Sequence, residues 1–316
     1  ASGDITQLAN LCHNCRGCYH ACQYTAPHEF DLNLPKALGA ARVDSWERFA
    51  WPSGLARLLQ SHAAGLVVAI VLGIAAMILA IAALPGEGPG FYAWLGHGAM
   101  VAIFLPAFLL PLAAIAMGLR SYWHEVGGQA VTLHDLREAA ISAGTMRNLS
   151  GGQGQGCNFE KGERYSNARR HVHQAIMYGF LLCFAATSVA TVMHYLLDMP
   201  APYGLFSLPK LLGIPGGLLL VAGCFGMIVL RGKADPGLGA PGRSGGENAF
   251  IWTLGLAGVT GLVLYALRGT ALTGPLLALH LGLVLAFFLV TPYSKMAHGF
   301  YRMAALVREA QLRRLR

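Results

Sequence analysis

Charge is scarce in this chain. Asp, Glu, Lys and Arg make up 12% of its 316 residues, about half the share in an ordinary soluble domain, and 55% of the residues are hydrophobic. Carboxylates are the scarcer sign, with 15 Asp and Glu against 23 Lys and Arg. None falls inside the long apolar segments, which argues against a transporter that relays protons on buried acids. No Ser-His-Asp arrangement or spaced carboxylate pair appears, so nothing here is built to bind and transform an organic substrate. The Gly-rich stretch GGQGQGC (151–157) lacks the Lys-Ser/Thr of a phosphate-binding loop and follows no strand pattern, so it reads as a flexible loop. No cleavable signal peptide is visible, because the first apolar run begins only after a cluster of cysteines.

Long apolar runs are what the chain has instead. A membrane-crossing helix takes about 20 such residues, and six segments qualify, roughly 63–84, 98–119, 174–196, 211–230, 249–267 and 271–292. With six crossings, residues 1–60, the 120–170 loop, the 231–247 loop and the tail share one side. That side holds 21 of the 23 Lys and Arg, leaving only Lys210 and Arg268 on the other. The positive-inside rule then makes both termini cytoplasmic, in a cell inner membrane. The basic excess is topological, and no nucleic-acid partner is expected. The expected organisation is a cytoplasmic segment (1–60), two spans (61–120), a cytoplasmic loop (121–170), four spans (171–300) and a basic tail (301–316).

Four of seven cysteines lie in LCHNCRGCYHAC, residues 11–22. The C-x2-C-x2-C-x3-C spacing is that of a [4Fe–4S] ligand run, in which the fourth Cys can serve another cluster. Zinc sites separate their cysteine pairs by a longer loop, and the cytoplasmic side disfavours disulfides. Cys12, Cys15 and Cys18 therefore read as ligands of one cluster, with Cys22 the fourth of the run. The fourth ligand stays open between Cys22, Cys157 and a cysteine upstream of the sequence given. The flanking His13, His20 and His28 lack Rieske spacing and read as solvated side chains.

Twelve histidines are many for a membrane chain, and a b-type haem needs two imidazoles from facing helices. His280 and His298, 18 residues apart, share a face of the sixth helix about 27 Å apart, provided that the helix continues past Pro292. His173 and His194, 21 residues apart on the third span, lie about 31 Å apart and within about 60° of one face. Because spans three and six run antiparallel, His173 meets His298 at the cytoplasmic level and His194 meets His280 at the far level. That arrangement suits two stacked haems, although one or two remains open. His97, in GHG at the outer end of span two, competes for the outer site or contacts a propionate or a quinone. His62 and His124 read as interfacial.

The motifs LANLCHNCRGCYHACQYTAPHEFDLNLPKAL, RFAWP (48–52), GHG (96–98), ARRHVHQAIMYGFLLCFAATSVAT (168–191), HYLL (194–197), LHLG (279–282) and PYSKMAHGFYR (292–302) resemble the tricarballylate/citrate-utilisation protein B family across nearly the whole chain. Members of that family carry a further N-terminal cysteine run, which this sequence lacks. The resemblance implies an all-α, six-span, cytochrome b-like membrane protein with an N-terminal ferredoxin-like segment. It also implies electron transfer from a soluble FAD-dependent tricarballylate dehydrogenase through Fe–S and b-type haem to quinone. The paired histidines of span six are similar to those of the nitrate-reductase gamma subunit. Rival expectations are the membrane subunit of a heterodisulfide- or nitrate-reductase-like complex, and a redox-sensing or transport protein without haem. Self-association is left open.

Overall fold

The computed structural model describes residues 2–61, 63–87, 89–151, 153–158, 164–240 and 244–315. The described residues fold almost entirely into helices: α1 (Ser2–Leu11), α2 (Gly17–His20), α3 (Leu34–Phe49), α4 (Ser53–Ser61), α5 (Ala63–Ala83), α6 (His97–Glu125), α7 (Leu133–Thr145), α8 (Ala168–Leu196), α9 (Leu208–Lys233), α10 (Ser244–Ala266), α11 (Thr273–Val290) and α12 (Ala297–Arg314). Six of these helices are long and apolar enough to cross a membrane: Ala64–Ala83, His97–Glu125, Ala168–Leu196, Leu208–Lys233, Gly245–Ala266 and Thr273–Tyr293. Their outward faces expose large apolar side chains such as Leu72, Leu79, Leu110 and Phe225. Lipid tolerates such a surface and water does not.

Apolar burial drives no association between helices already in lipid, so close packing must hold the bundle together. Small residues supply it. A Cβ on Gly216 of α9 would meet Leu182 and Cys183 of α8, and one on Gly282 of α11 would meet the backbone of Ile74 in α5. The sixth span is the most enclosed, with 56% of its apolar window buried, against 6% for the third. α8 thus packs closely on α9 while much of its remaining surface is uncovered. Across the bundle it meets α6 and α11 through rings: Phe108 lies 6.1 Å from Phe184, and Phe180 lies 5.7 Å from Phe287.

Three regions depart from the sequence reading. The sixth helix is not continuous: α11 stops at Val290, Thr291–Tyr293 forms a 3-10 turn, and α12 starts anew at Ala297. Pro292 has no N–H for a helical bond and its ring crowds the preceding turn. The basic tail is helical as α12, and its Ala297, Tyr301 and Ala305 join a core with Val43, Trp46, Phe49 and Tyr122. The 120–170 loop contains α7, opened by a capping box in which Thr132 and Asp135 bond each other's backbone N–H.

α1 and α3 sit on the end of the bundle where α6 finishes and α12 begins. Gln7 Nε2 donates to the Ala305 carbonyl at 2.7 Å, Tyr122 OH donates to Gln7 Oε1 at 2.8 Å, and Trp46 Nε1 donates to Asn10 Oδ1 at 2.9 Å. These buried polar groups satisfy one another, which fixes the orientation of the segment on the bundle.

Candidate functional site

The cysteine loop leaves the end of α1 at Cys12. Asn14 and Arg16 take positive φ values of 54° and 67°, uncommon for non-glycine residues, and these turn the chain around the sulfurs. Amides point inward: Asn14 N–H donates to Cys12 Sγ at 3.3 Å and Tyr24 N–H to Cys22 Sγ at 3.4 Å. Partial burial, then the nearby Cys12 and Cys15, push the Cys18 thiol above its ordinary pKa. Without a metal such gathered sulfurs stay protonated, and holding them as thiolates would take the positive charge of a metal centre.

Cys157 is buried and packs with Met146, Leu149 and Leu230, with Cys15 against that group. It is placed by the Gly-rich loop. Gly156 has φ of 93°, and a Cβ there would strike the Ser166 carbonyl, while Cys157 and Ser166 exchange backbone bonds at 2.9 and 3.0 Å. The next residue, Asn158, donates its N–H to the Cys15 carbonyl at 2.8 Å. The loop read as flexible is therefore built in part to hold Cys157 beside the cysteine run.

Arginines from three helices hold the loop's carbonyls. Arg42 Nη1 and Arg302 Nη2 both donate to the Cys12 carbonyl, at 2.7 and 2.8 Å, and Arg169 Nη1 donates to that of Asn14 at 2.9 Å. Burial, then Arg42, brings the Arg302 pKa down to about 9, and burial, then Arg169, brings that of Arg16 down to about 10. Such crowding of positive charge favours an anionic guest, and a thiolate-bound iron–sulfur cluster is one. Among the described residues no three His, Cys, Asp or Glu side chains close on a single point as a lone metal ion requires.

Next to this loop lie His173 of α8 and His298 of α12, with ring centroids 6.0 Å apart and planes at 82°. Two metal–nitrogen bonds of about 2 Å plus a ring radius at each end would separate axial imidazoles by about 6 Å. His298 Nδ1 bonds the Lys295 carbonyl, which leaves Nε2 as the free lone pair, and His173 Nδ1 is buried with no hydrogen-bond partner. His298 thus has the anchored ring nitrogen that usually supports a metal-binding His, and His173 does not. Burial, then Arg302 and Lys295, holds His298 well below its ordinary pKa, and therefore neutral. His13 is not the solvated side chain expected: it is half-buried, and burial, then Arg302, His173 and Arg169, depress its pKa strongly.

The far end differs. Phe108 faces both Phe184 and Phe288, which marks one common level. At 1.5 Å per residue, His97, His194 and His280 lie about 16, 15 and 12 Å beyond it, and His173 about 16 Å toward the cysteines. The ring contacts recorded there pair His194 with His97, at 4.4 Å, rather than with His280. His97 Nε2 bonds Tyr195 OH at 2.7 Å, and the Nδ1 atoms of His97 and His194 are buried and unpartnered. His280 turns toward α10. Its Nδ1 lies 3.1 Å from Thr260 Oγ1, whose own proton goes to Leu256 or Ala257, and the ring also bonds the Ala257 backbone. A Cβ on Gly261 would touch the His280 ring. His124 ends α6, and His62 lies outside the described residues.

Sequence reasoning missed Arg42, Arg302, Thr260 and Gly261, which act only through tertiary contacts. Arg169 and Arg170, in the motif ARRHVHQ, read as positive-inside charges first and as partners of a haem propionate second.

Six apolar helices with a cysteine-bearing segment seated on one end define an all-α, multi-pass membrane protein. Residues 1–47 match the model described as the citrate utilization protein B Fer4-like domain, and residues 53–316 match that of citrate utilization protein B itself. Citrate utilization protein B of Escherichia coli is 38% identical over 313 residues, which covers 97% of this chain and 82% of that protein. No solved structure matches. The chain belongs to the citrate utilization protein B family.

Proposed function

We propose that this protein is a membrane electron-transfer component of tricarboxylate utilisation. It takes electrons from a cytoplasmic FAD-dependent dehydrogenase acting on tricarballylate or a related tricarboxylate and delivers them to the membrane quinone. The observation that carries this reading is the His173–His298 pair: two imidazoles from different helices, 6.0 Å apart, beside a loop of thiols wrapped in arginine. The family supports the tricarboxylate context, since the relative is named for citrate utilization.

In this reading Cys12, Cys15 and Cys18 hold a [4Fe–4S] cluster, with Cys22 and Cys157 as the candidates for the fourth position within this chain. His173 and His298 hold one b-type haem. His280, with His194 or His97, holds a second. When bound, these groups supply one-electron carriers. The chain contributes ligation, dry burial, spacing and the positive charge that sets their potentials. The cysteine side faces the cytoplasm, because it bears 21 of the 23 Lys and Arg.

The test is iron, sulfide and haem analysis of the purified full chain with redox-titrated optical and EPR spectra. The expected result is a reducible b-type α-band together with an iron–sulfur EPR signal. A fully loaded preparation without haem bands would leave the redox-sensor reading instead.

A further inference from the structure

Arg169 and Arg302 occupy matched positions. Arg169 precedes His173 by four residues in α8, and Arg302 follows His298 by four in α12. On a helix that spacing puts each arginine over its histidine, one turn or about 6 Å along. The directions matter. α8 begins at the cysteine end and α12 runs away from the membrane, so both steps lead from the histidine pair toward the cysteine loop. There the two guanidiniums take the carbonyls on either side of His13, Arg302 at Cys12 and Arg169 at Asn14. Arg302 adds a bond from Nε to the Asn10 carbonyl at 3.1 Å. His13 is caught between them with its Nδ1 against the Leu11 carbonyl at 3.1 Å.

We infer that Arg169 and Arg302 form a two-armed clasp that fixes the gap between the cysteine loop and the His173–His298 pair and raises the reduction potentials of the groups held at both. They are positioning residues. The inference rests on the proposed function above, namely that both places hold redox groups. A guanidinium is a planar fork of N–H donors that stays charged while it bonds. Here each such charge stands one turn from an imidazole on one side and one peptide from a thiol on the other. Removing that charge stabilises the oxidised form at both centres, so both potentials move the same way.

The experiment uses the full-length holoprotein and its R302Q, R302K and R169Q variants. Midpoint potentials of the iron–sulfur signal are read by EPR and those of the haem by optical titration, and hydrogen exchange is followed at the amides of residues 10–16. In R302Q both midpoints should fall, and exchange at 10–16 should quicken roughly tenfold or more, because charged hydrogen bonds to the loop are lost. R302K keeps the charge without the fork, so its potentials should return toward wild type while exchange stays fast. Unchanged midpoints in both R302Q and R169Q, or movement of only one centre, would overturn the clasp. If R302Q fails to load, R169Q and R302K decide the matter by the same criteria. Wild-type protein with no haem or no cluster would refute the underlying reading instead, and is seen before any variant is made.

Discussion

The two ends of the bundle hold histidines in opposite ways. At the cysteine end, His173 and His298 come from different helices and face each other 6.0 Å apart, with a carbonyl, a tryptophan ring 6.4 Å away and arginines around them. At the far end three histidines share a level, yet His97 and His194 lie 4.4 Å apart, closer than axial imidazoles sit across a metal, while His280 is committed to Thr260 on another helix. One end is organised as a pair and the other as a choice among three. A site held by elements that must pack together anyway is preorganised, whereas one at a membrane face depends more on its guest.

The largest expected effect tests whether that difference is functional. His173→Ala or His298→Ala should remove one haem completely, seen as loss of its share of the α-band. If the far end is a choice among three, His97→Ala should retain two-haem absorbance and His280→Ala should not. Equal losses from His97→Ala and His280→Ala would erase the contrast. Next in size is cluster assembly: Cys15→Ser should abolish the iron–sulfur signal. Between Cys22→Ser and Cys157→Ser, the variant that drops iron content and alters the EPR line shape identifies the fourth ligand.

A smaller effect separates ligand from support. Thr260→Val removes one of the two hydrogen-bond partners of the His280 ring, the other being the Ala257 backbone, and should weaken haem retention at the far end by roughly 10-fold, measured by haem transfer to apomyoglobin. The cysteine-end haem should be unaffected. Smallest is Gly261→Ala, whose new methyl presses on the His280 ring. It should shift that haem's EPR g-values and cost about 1–3 kcal/mol of stability at most. A change confined to the other haem would place His280 outside the far site.

Much of the architecture was legible because hydropathy is a direct report on lipid. All six spans can be read from apolar runs of about 20 residues, and the antiparallel order that brings His173 level with His298 follows from counting. The capping box at Thr132 and Asp135 was a readable sign of α7, but it lies in a polar stretch where the span pattern gives no guide. The end of α11 hung on Pro292, whose effect depends on whether neighbours satisfy the freed backbone groups. His13 reads as solvated because its neighbours in sequence are polar. The arginines that hold the carbonyls on either side of it, Arg169 and Arg302, are more than 150 and 280 residues away. His97 and His194 meet through a packing choice that periodicity does not encode.

The break between α11 and α12 also bears on how the molecule is made. It frees the last helix to turn back against the first, so that Arg302 bonds to Cys12 across 290 positions and Gln7 reaches Ala305 across 298. Translation delivers Cys12 290 residues before the arginine that clamps its carbonyl. The nascent N-terminal segment must therefore wait, with its thiols unclasped, until all six crossings are complete.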